Sequence, residues 1–374
     1  MKLRLPRALH PVAWWIWALG LAAASSRTTN PLLQLLICAV AGYVVVSRRS
    51  TAPWSRSYSV FVKLAVIVLI VRVVVALVFS DPFGGTVLVH LPEIPLPHWM
   101  AGVRLGGDIT KEGLAFAVYD GLRLATLLVC VGAANSLASP ARLLKALPAA
   151  LYEVGVVVTV AASFAPQAVT SLTRIREARR LRGRPTRGLA AVRGLALPVL
   201  EGALERSVDL AAAMDSRGFG RRGASSRRAR AASAALVLTG FVLTLGSSYG
   251  LLTADSPKLL GVPMLVSGAV LAAIGMVIGS RSAARTRYRP DPWRTPEWIV
   301  AASGIAAAAL MTVARHSDPS GVFPSTAPLV APELPVAAAA GILLALLPAW
   351  VAPPLASRRN RVAGRPSLEA QVAA

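Results

Sequence analysis

The sequence predicts an all-α integral membrane protein with about eight transmembrane helices and a cytoplasmic pair of long helices. Three observations carry this. The 374-residue chain is 55% hydrophobic with a mean hydropathy of +0.59, and only 15% of it is charged, against about 25% in a soluble domain. Its apolar residues gather in blocks of roughly 18 to 22, the length that crosses ~30 Å of hydrocarbon. Most of the basic residues behind the formal charge of +23 fall outside those blocks, many of them in one long central segment.

The blocks are 11–26, 31–47, 60–79, 113–134, 232–252, 259–279, 297–314 and 334–353. An even number of crossings puts both termini on one side. With that side as the cytoplasm, Lys2, Arg4, Arg7, Arg48, Arg49 and Arg56 lie inside, together with every Arg and Lys between 135 and 231, Arg281 to Arg294, and Arg358 to Arg365. Only Arg27, Arg104, Lys111, Lys258 and Arg315 lie outside, which is the bias the positive-inside rule demands. Lys2, Arg4 and Arg7 ahead of an apolar stretch resemble a signal peptide. A second block begins almost at once at Pro31, which favours a retained first helix.

The stretch 150–168, LYEVGVVVTVAASFAPQAV, is long enough to cross. If it did, the arginines from Arg174 to Arg230 would sit on the opposite side from Arg142 and Lys145. It is therefore expected to begin a non-crossing helix from Ala150 to Arg182, roughly 50 Å long and bent near Pro166. The expected organisation is 1–134 as N-terminal transmembrane helices, 135–231 as a cytoplasmic coupling region, 232–353 as C-terminal transmembrane helices and 354–374 as a disordered cytoplasmic tail. Cys38 and Cys130 fall inside apolar blocks and behave as small buried hydrophobes. A basic excess is also found in nucleic-acid-binding proteins, but its place between apolar blocks points to cytoplasmic loops beside a lipid bilayer, with no nucleic-acid partner.

The central segment divides into three helical pieces. Ser139-Pro140 opens the first with an N-cap and a first-turn proline. The second ends at Arg182-Gly183. The third starts near Pro198 and ends at Arg217-Gly218. Glu201, Glu205 and Asp209 form an acidic stripe expected to face Arg176 and Arg180. A glycine at C′ and a cation in the last turn are ordinary helix-end chemistry. Two such ends in one segment also present two guanidinium forks on rigid tips, suited to carboxylate partners. Within the apolar blocks, Arg72 and Arg123 are costly in hydrocarbon and face protein or a cavity. Asp120, three residues before Arg123, is its expected partner.

Residues 10–220 resemble the T component of energy-coupling factor transporters, a family that includes the cobalt-transport Q protein. The resemblance rests on His10-Pro11, Asn30-Pro31, Gly121-Leu122-Arg123-Leu124, the run Ser139-Pro140-Ala141-Arg142-Leu143-Leu144-Lys145-Ala146-Leu147, Phe164-Ala165-Pro166, and Ala211-Ala212-Ala213-Met214-Asp215-Ser216-Arg217-Gly218-Phe219. The last block, paired with the first Arg-Gly end, is the most specific. Leu181 and Ser216 stand where the family usually has alanine, and about four helices follow residue 231, more than many members carry. The resemblance implies a non-catalytic, multi-pass subunit of a prokaryotic cell membrane, without a cofactor. It implies two ABC ATPase subunits, docked through Arg182-Gly183 and Arg217-Gly218, and a small substrate-capture membrane subunit. It also implies two long helices crossing as an X, with Ala161, Ala162, Ala211, Ala212 and Ala213 permitting close approach.

Three other classes are weighed against this. An enzyme is disfavoured because His10, His90, His98 and His316 are scattered and no HExxH or P-loop occurs. His90 and His98, with Glu93 and Asp108, share the 80–112 loop and raise an external metal site, although a solvated loop is the simpler expectation. A conventional ABC permease would use one coupling loop and bind its own substrate. A structural membrane protein would need no ATPase.

Overall fold

The computed structural model describes residues 9–50, 53–79, 85–94, 105–146, 152–183, 188–219, 227–253, 257–281 and 291–353. Lys2, Arg4, Arg7, His98, Ala150 and the 354–374 tail lie outside the described residues.

The first two helices begin where a polar cap precedes a proline. The His10 Nδ1 accepts from the Val12 N–H at 3.3 Å, and the Asn30 Oδ1 accepts from the Leu32 N–H at 2.9 Å. Each side chain satisfies a first-turn donor, and the proline sits where no N–H is needed. These caps open α1 (Pro11–Ser26) and α2 (Pro31–Arg48). Then come α3 (Ser57–Val78), β1 (Val87–Ile94), β2 (Leu105–Thr110), α4 (Lys111–Leu137) and α5 (Pro140–Lys145). Next are α6 (Tyr152–Leu181), α7 (Leu189–Ser216), α8 (Arg227–Leu252) and α9 (Val262–Arg281). The chain closes with α10 (Thr295–Ser317), α11 (Pro319–Val322), α12 (Val336–Leu344) and α13 (Pro348–Val351).

Two compact units result: Met1–Leu143 with Asp291–Ala374, and Leu144–Pro290. The last helices thus fold with the first ones. In the first unit α1 is central, packed on α2, α4 and α10 with Trp17 and Leu21 fully buried. The Trp17 Nε1 donates to the Ala345 carbonyl at 3.0 Å. Glycine sets the α1–α10 distance: a Cβ on Gly20 would lie 2.2 Å from the Gly304 oxygen. A buried polar knot joins the α1–α2 connection to the segment after α10. Asn30 Nδ2 donates to the Gly321 and Glu333 carbonyls at 2.7 and 2.6 Å, and Thr28 Oγ1 donates to the Val322 carbonyl at 2.7 Å. Groups this deeply buried are stable only when paired.

In the second unit α8 and α9 pack through small residues, with a Cβ on Gly240 only 2.6 Å from both the Gly268 oxygen and the Ala272 nitrogen. The helices α6 and α7 form the other pair.

Among the described residues, 7 helices are long and apolar enough to cross a membrane: Pro31–Arg48, Ser57–Val78, Lys111–Leu137, Val154–Leu181, Ala231–Leu252, Val262–Gly279 and Thr295–Ser317. The fold is therefore that of an all-α, multi-pass membrane protein. Five details differ from the sequence expectation. The stretch 150–168, expected not to cross, lies from Tyr152 onward in α6, whose residues Val154–Leu181 are long and apolar enough to cross. The helix α1, at 16 residues, falls below that length. The 334–353 block is broken into α12 and α13, because Pro348 offers no N–H and its ring crowds the carbonyl of Leu344. The 80–112 segment, expected as a loop, contains an antiparallel β1–β2 hairpin pairing His90 with Asp108. The third cytoplasmic helix starts at Leu189 rather than near Pro198, after Gly188 at φ 86°.

Candidate functional site

The Arg-Gly ends are built by the backbone. At the end of α7, the Gly218 N–H donates to the Asp215 carbonyl at 2.8 Å and the Phe219 N–H to the Met214 carbonyl at 3.0 Å. This double closure requires a left-handed residue at its corner, and Gly218 supplies it at φ 73°. At the end of α6 the Gly183 N–H donates to the Arg180 carbonyl at 3.1 Å, with Gly183 at φ 66°. Both guanidiniums, Arg182 and Arg217, are exposed. Among the described residues neither has a hydrogen-bond or ion-pair partner.

The helices α6 and α7 run antiparallel. Arg179 Nη1 donates to the Gly194 carbonyl at 2.7 Å, and Arg206 Nη1 donates to the Ser171 Oγ at 3.0 Å. The first contact has a covalent cause. Pro198 has no N–H for the carbonyl four residues earlier, and Arg179 takes the place of that lost helical bond. A Cβ at position 194 would lie 2.1 Å from Arg179 Nη1, so a side chain there would displace this guanidinium. The sequence reading missed Arg179 and Arg206; a proline within a helix, freeing the carbonyl at 194, was the available signal. The antiparallel order sets Arg182 and Arg217 at opposite ends of the pair, roughly 40 Å apart along it.

The structure therefore keeps the two tips apart. Ala161, Ala162, Ala211, Ala212 and Ala213 are exposed, and the described α6–α7 hydrogen bonds lie elsewhere on these helices. Glu201, Glu205 and Asp209 are also exposed, and among the described residues no ion pair joins them to Arg176 or Arg180. The facing positions are taken by Arg179 and Arg206 instead.

The arginines of the apolar blocks also have partners. Arg72 Nε meets Asp120 Oδ2 at 2.9 Å across the α3–α4 contact, with its guanidinium 5.9 Å from the Phe116 ring centre. Arg123, expected to pair with Asp120, donates instead to the Ser26 carbonyl at 2.6 Å, closing the C-terminal turn of α1. Asp120 lies one turn from Arg123 but faces α3, so the long-range pair wins over the local one. His90 Nδ1 contacts Asp108 Oδ1 on the exposed hairpin. Among the described residues no group of three or more His, Cys, Asp or Glu is placed to hold a metal ion.

A family model described as cobalt transport protein matches residues 3–227, more than half of the chain. No curated protein matches it. The matched region ends where α8 begins and includes α1 to α7.

Proposed function

The chain belongs to the CbiQ cobalt transport protein family, a family of membrane transport components rather than enzymes, and from that premise we propose a specific role. It is the energy-coupling transmembrane subunit of an energy-coupling-factor type ABC importer. It passes the ATP-driven motion of two ABC ATPase subunits to a small substrate-capture membrane subunit, for vitamin or metal-ion uptake across a prokaryotic cell membrane, with both termini cytoplasmic.

One observation carries this reading: two exposed arginines, without a side-chain partner among the described residues, at glycine-closed ends of one antiparallel helix pair, roughly 40 Å apart. A single docking loop serves one point of attachment. Two rigid tips facing opposite ways serve two copies of an ATPase. Arg182 and Arg217 then dock through bidentate contacts to carboxylates, and Gly183 and Gly218 fix where the forks point. Ala161, Ala162, Ala211, Ala212 and Ala213 are the small residues of the proposed crossing. Small residues there permit the close crossing of α6 and α7 that the coupling motion needs.

Purification of the full chain from native membranes in mild detergent tests the proposal. It predicts that two ATPase subunits and a separate small membrane protein copurify. Transport by the chain and ATPases alone would make it a conventional permease that binds its own substrate. Absence of any ATPase would overturn the proposal.

A further inference from the structure

The chain leaves the first unit after Leu143 and rejoins it at Asp291. The residues flanking that excursion touch. Arg142 Nη2, on α5, forms an ion pair with Asp291 Oδ2, just ahead of α10. The same guanidinium donates from Nη1 to the Leu9 carbonyl at 2.9 Å. Leu9 is buried and directly precedes His10, the residue that caps α1. The His10 backbone N–H donates to Glu297 Oε1 at 3.4 Å, while Glu297 Oε2 accepts the Arg294 N–H at 3.0 Å as part of the α10 cap. The His10 ring also lies 5.4 Å from the Trp293 ring. The starts of α1, α5 and α10 are thus tied at one point within the first unit, with Arg142 of α5 reaching both Leu9 and Asp291.

We propose that Arg142 is a positioning residue for coupling. It clamps together the two chain segments by which the second unit joins the first, so that displacement of α6 and α7 is delivered to α1 and α10. Without the clamp each segment moves separately, and the displacement is absorbed as slack. The fork matters because one guanidinium serves a carboxylate and a carbonyl in different directions; a lysine ammonium has no such fixed geometry. The proposal assigns work to α10, which lies beyond the matched family region. It rests on the coupling-subunit reading, and the experiment separates the two.

The full chain in lipid nanodiscs, without partners, is compared with Arg142→Ala, Asp291→Asn and the double variant by hydrogen exchange. Each single change is expected to raise exchange about two- to fivefold at both 140–145 and 291–296, the shift that a partly exposed ion pair supports, and the double change little further. Exchange that rises only beside the substituted residue overturns the clamp. In the assembled transporter, Arg142→Ala should lower substrate moved per ATP hydrolysed while the ATPases remain bound, and Arg142→Lys should restore it in part. An unchanged ratio in Arg142→Ala leaves a structural pair only and overturns the proposal. If wild-type chain binds no ATPase, the coupling-subunit reading fails, while the exchange comparison still decides the clamp.

Discussion

The α1–α10 crossing makes the sharpest demand on the fold. A Cβ on Gly20 would lie 2.2 Å from the Gly304 oxygen and 2.4 Å from its carbonyl carbon. Those atoms are backbone and cannot rotate aside, so Gly20→Ala forces the helices apart by about 1 Å before ordinary contact is restored. Parting them loosens fully buried Trp17, Leu21, Ala307 and Met311. Overpacking of this kind costs about 1–3 kcal/mol. Gly304→Ala meets the Trp17 backbone at 2.5 Å and should cost about as much. The double variant should cost less than the sum, because one separation relieves both clashes. Gly42→Ala is the control: its Cβ meets only the Tyr58 hydroxyl at 3.3 Å, and it should be neutral or gain slightly from helix propensity. Equilibrium unfolding in mixed detergent micelles, followed by tryptophan fluorescence, gives the comparison. Wild-type stability in both glycine variants would refute the close crossing, and with it the packing of α10 onto the family-matched helices.

Arg72→Ala should destabilise by about 2–3 kcal/mol by leaving Asp120 unpaired within an apolar block, and Arg72→Ala/Asp120→Ala by less than the sum; additive losses in the same unfolding assay would reassign the pair. Gly183→Ala and Gly218→Ala should each cost about 1–2 kcal/mol of local strain and weaken ATPase retention without altering charge, read as the salt concentration that releases the ATPases. A cysteine at Leu88 should react with an impermeant thiol reagent in intact cells and one at Ser225 should not; labelling of Ser225 would invert the topology.

Much of this architecture was legible because membrane crossings are local: a block of apolar residues, a cap and a proline announce themselves. His10-Pro11 and Asn30-Pro31 start helices as their chemistry predicts. What Asn30 does besides capping was not legible, since its amide reaches the Gly321 and Glu333 carbonyls and no local pattern encodes a contact across the chain. The same limit explains Asp120, whose spacing from Arg123 suits a pair while the fold brings it to Arg72. The β1–β2 hairpin was hidden because its strands carry proline and glycine, at Pro92, Gly106 and Gly107. At the candidate site, Arg182-Gly183 and Arg217-Gly218 stood out as helix-closing chemistry. Arg179 and Arg206 did not, because their role depends on a facing helix.

The most direct measurement is ATPase retention by the Arg182→Ala/Arg217→Ala chain across a salt titration, with uptake followed in parallel. Both side chains are exposed, so the substitution leaves the helices and the membrane bundle intact. If the two forks dock the ATPases as proposed, their partners are then left unpaired at an interface, a loss of about 2–5 kcal/mol per buried pair. The account predicts a chain that inserts and folds normally, releases its ATPases at lower salt, and loses transport and coupled ATP hydrolysis together, with Arg→Lys at the same positions intermediate. Normal assembly and uptake by the double variant would reduce the two arginines to helix-end residues and contradict the account at its centre.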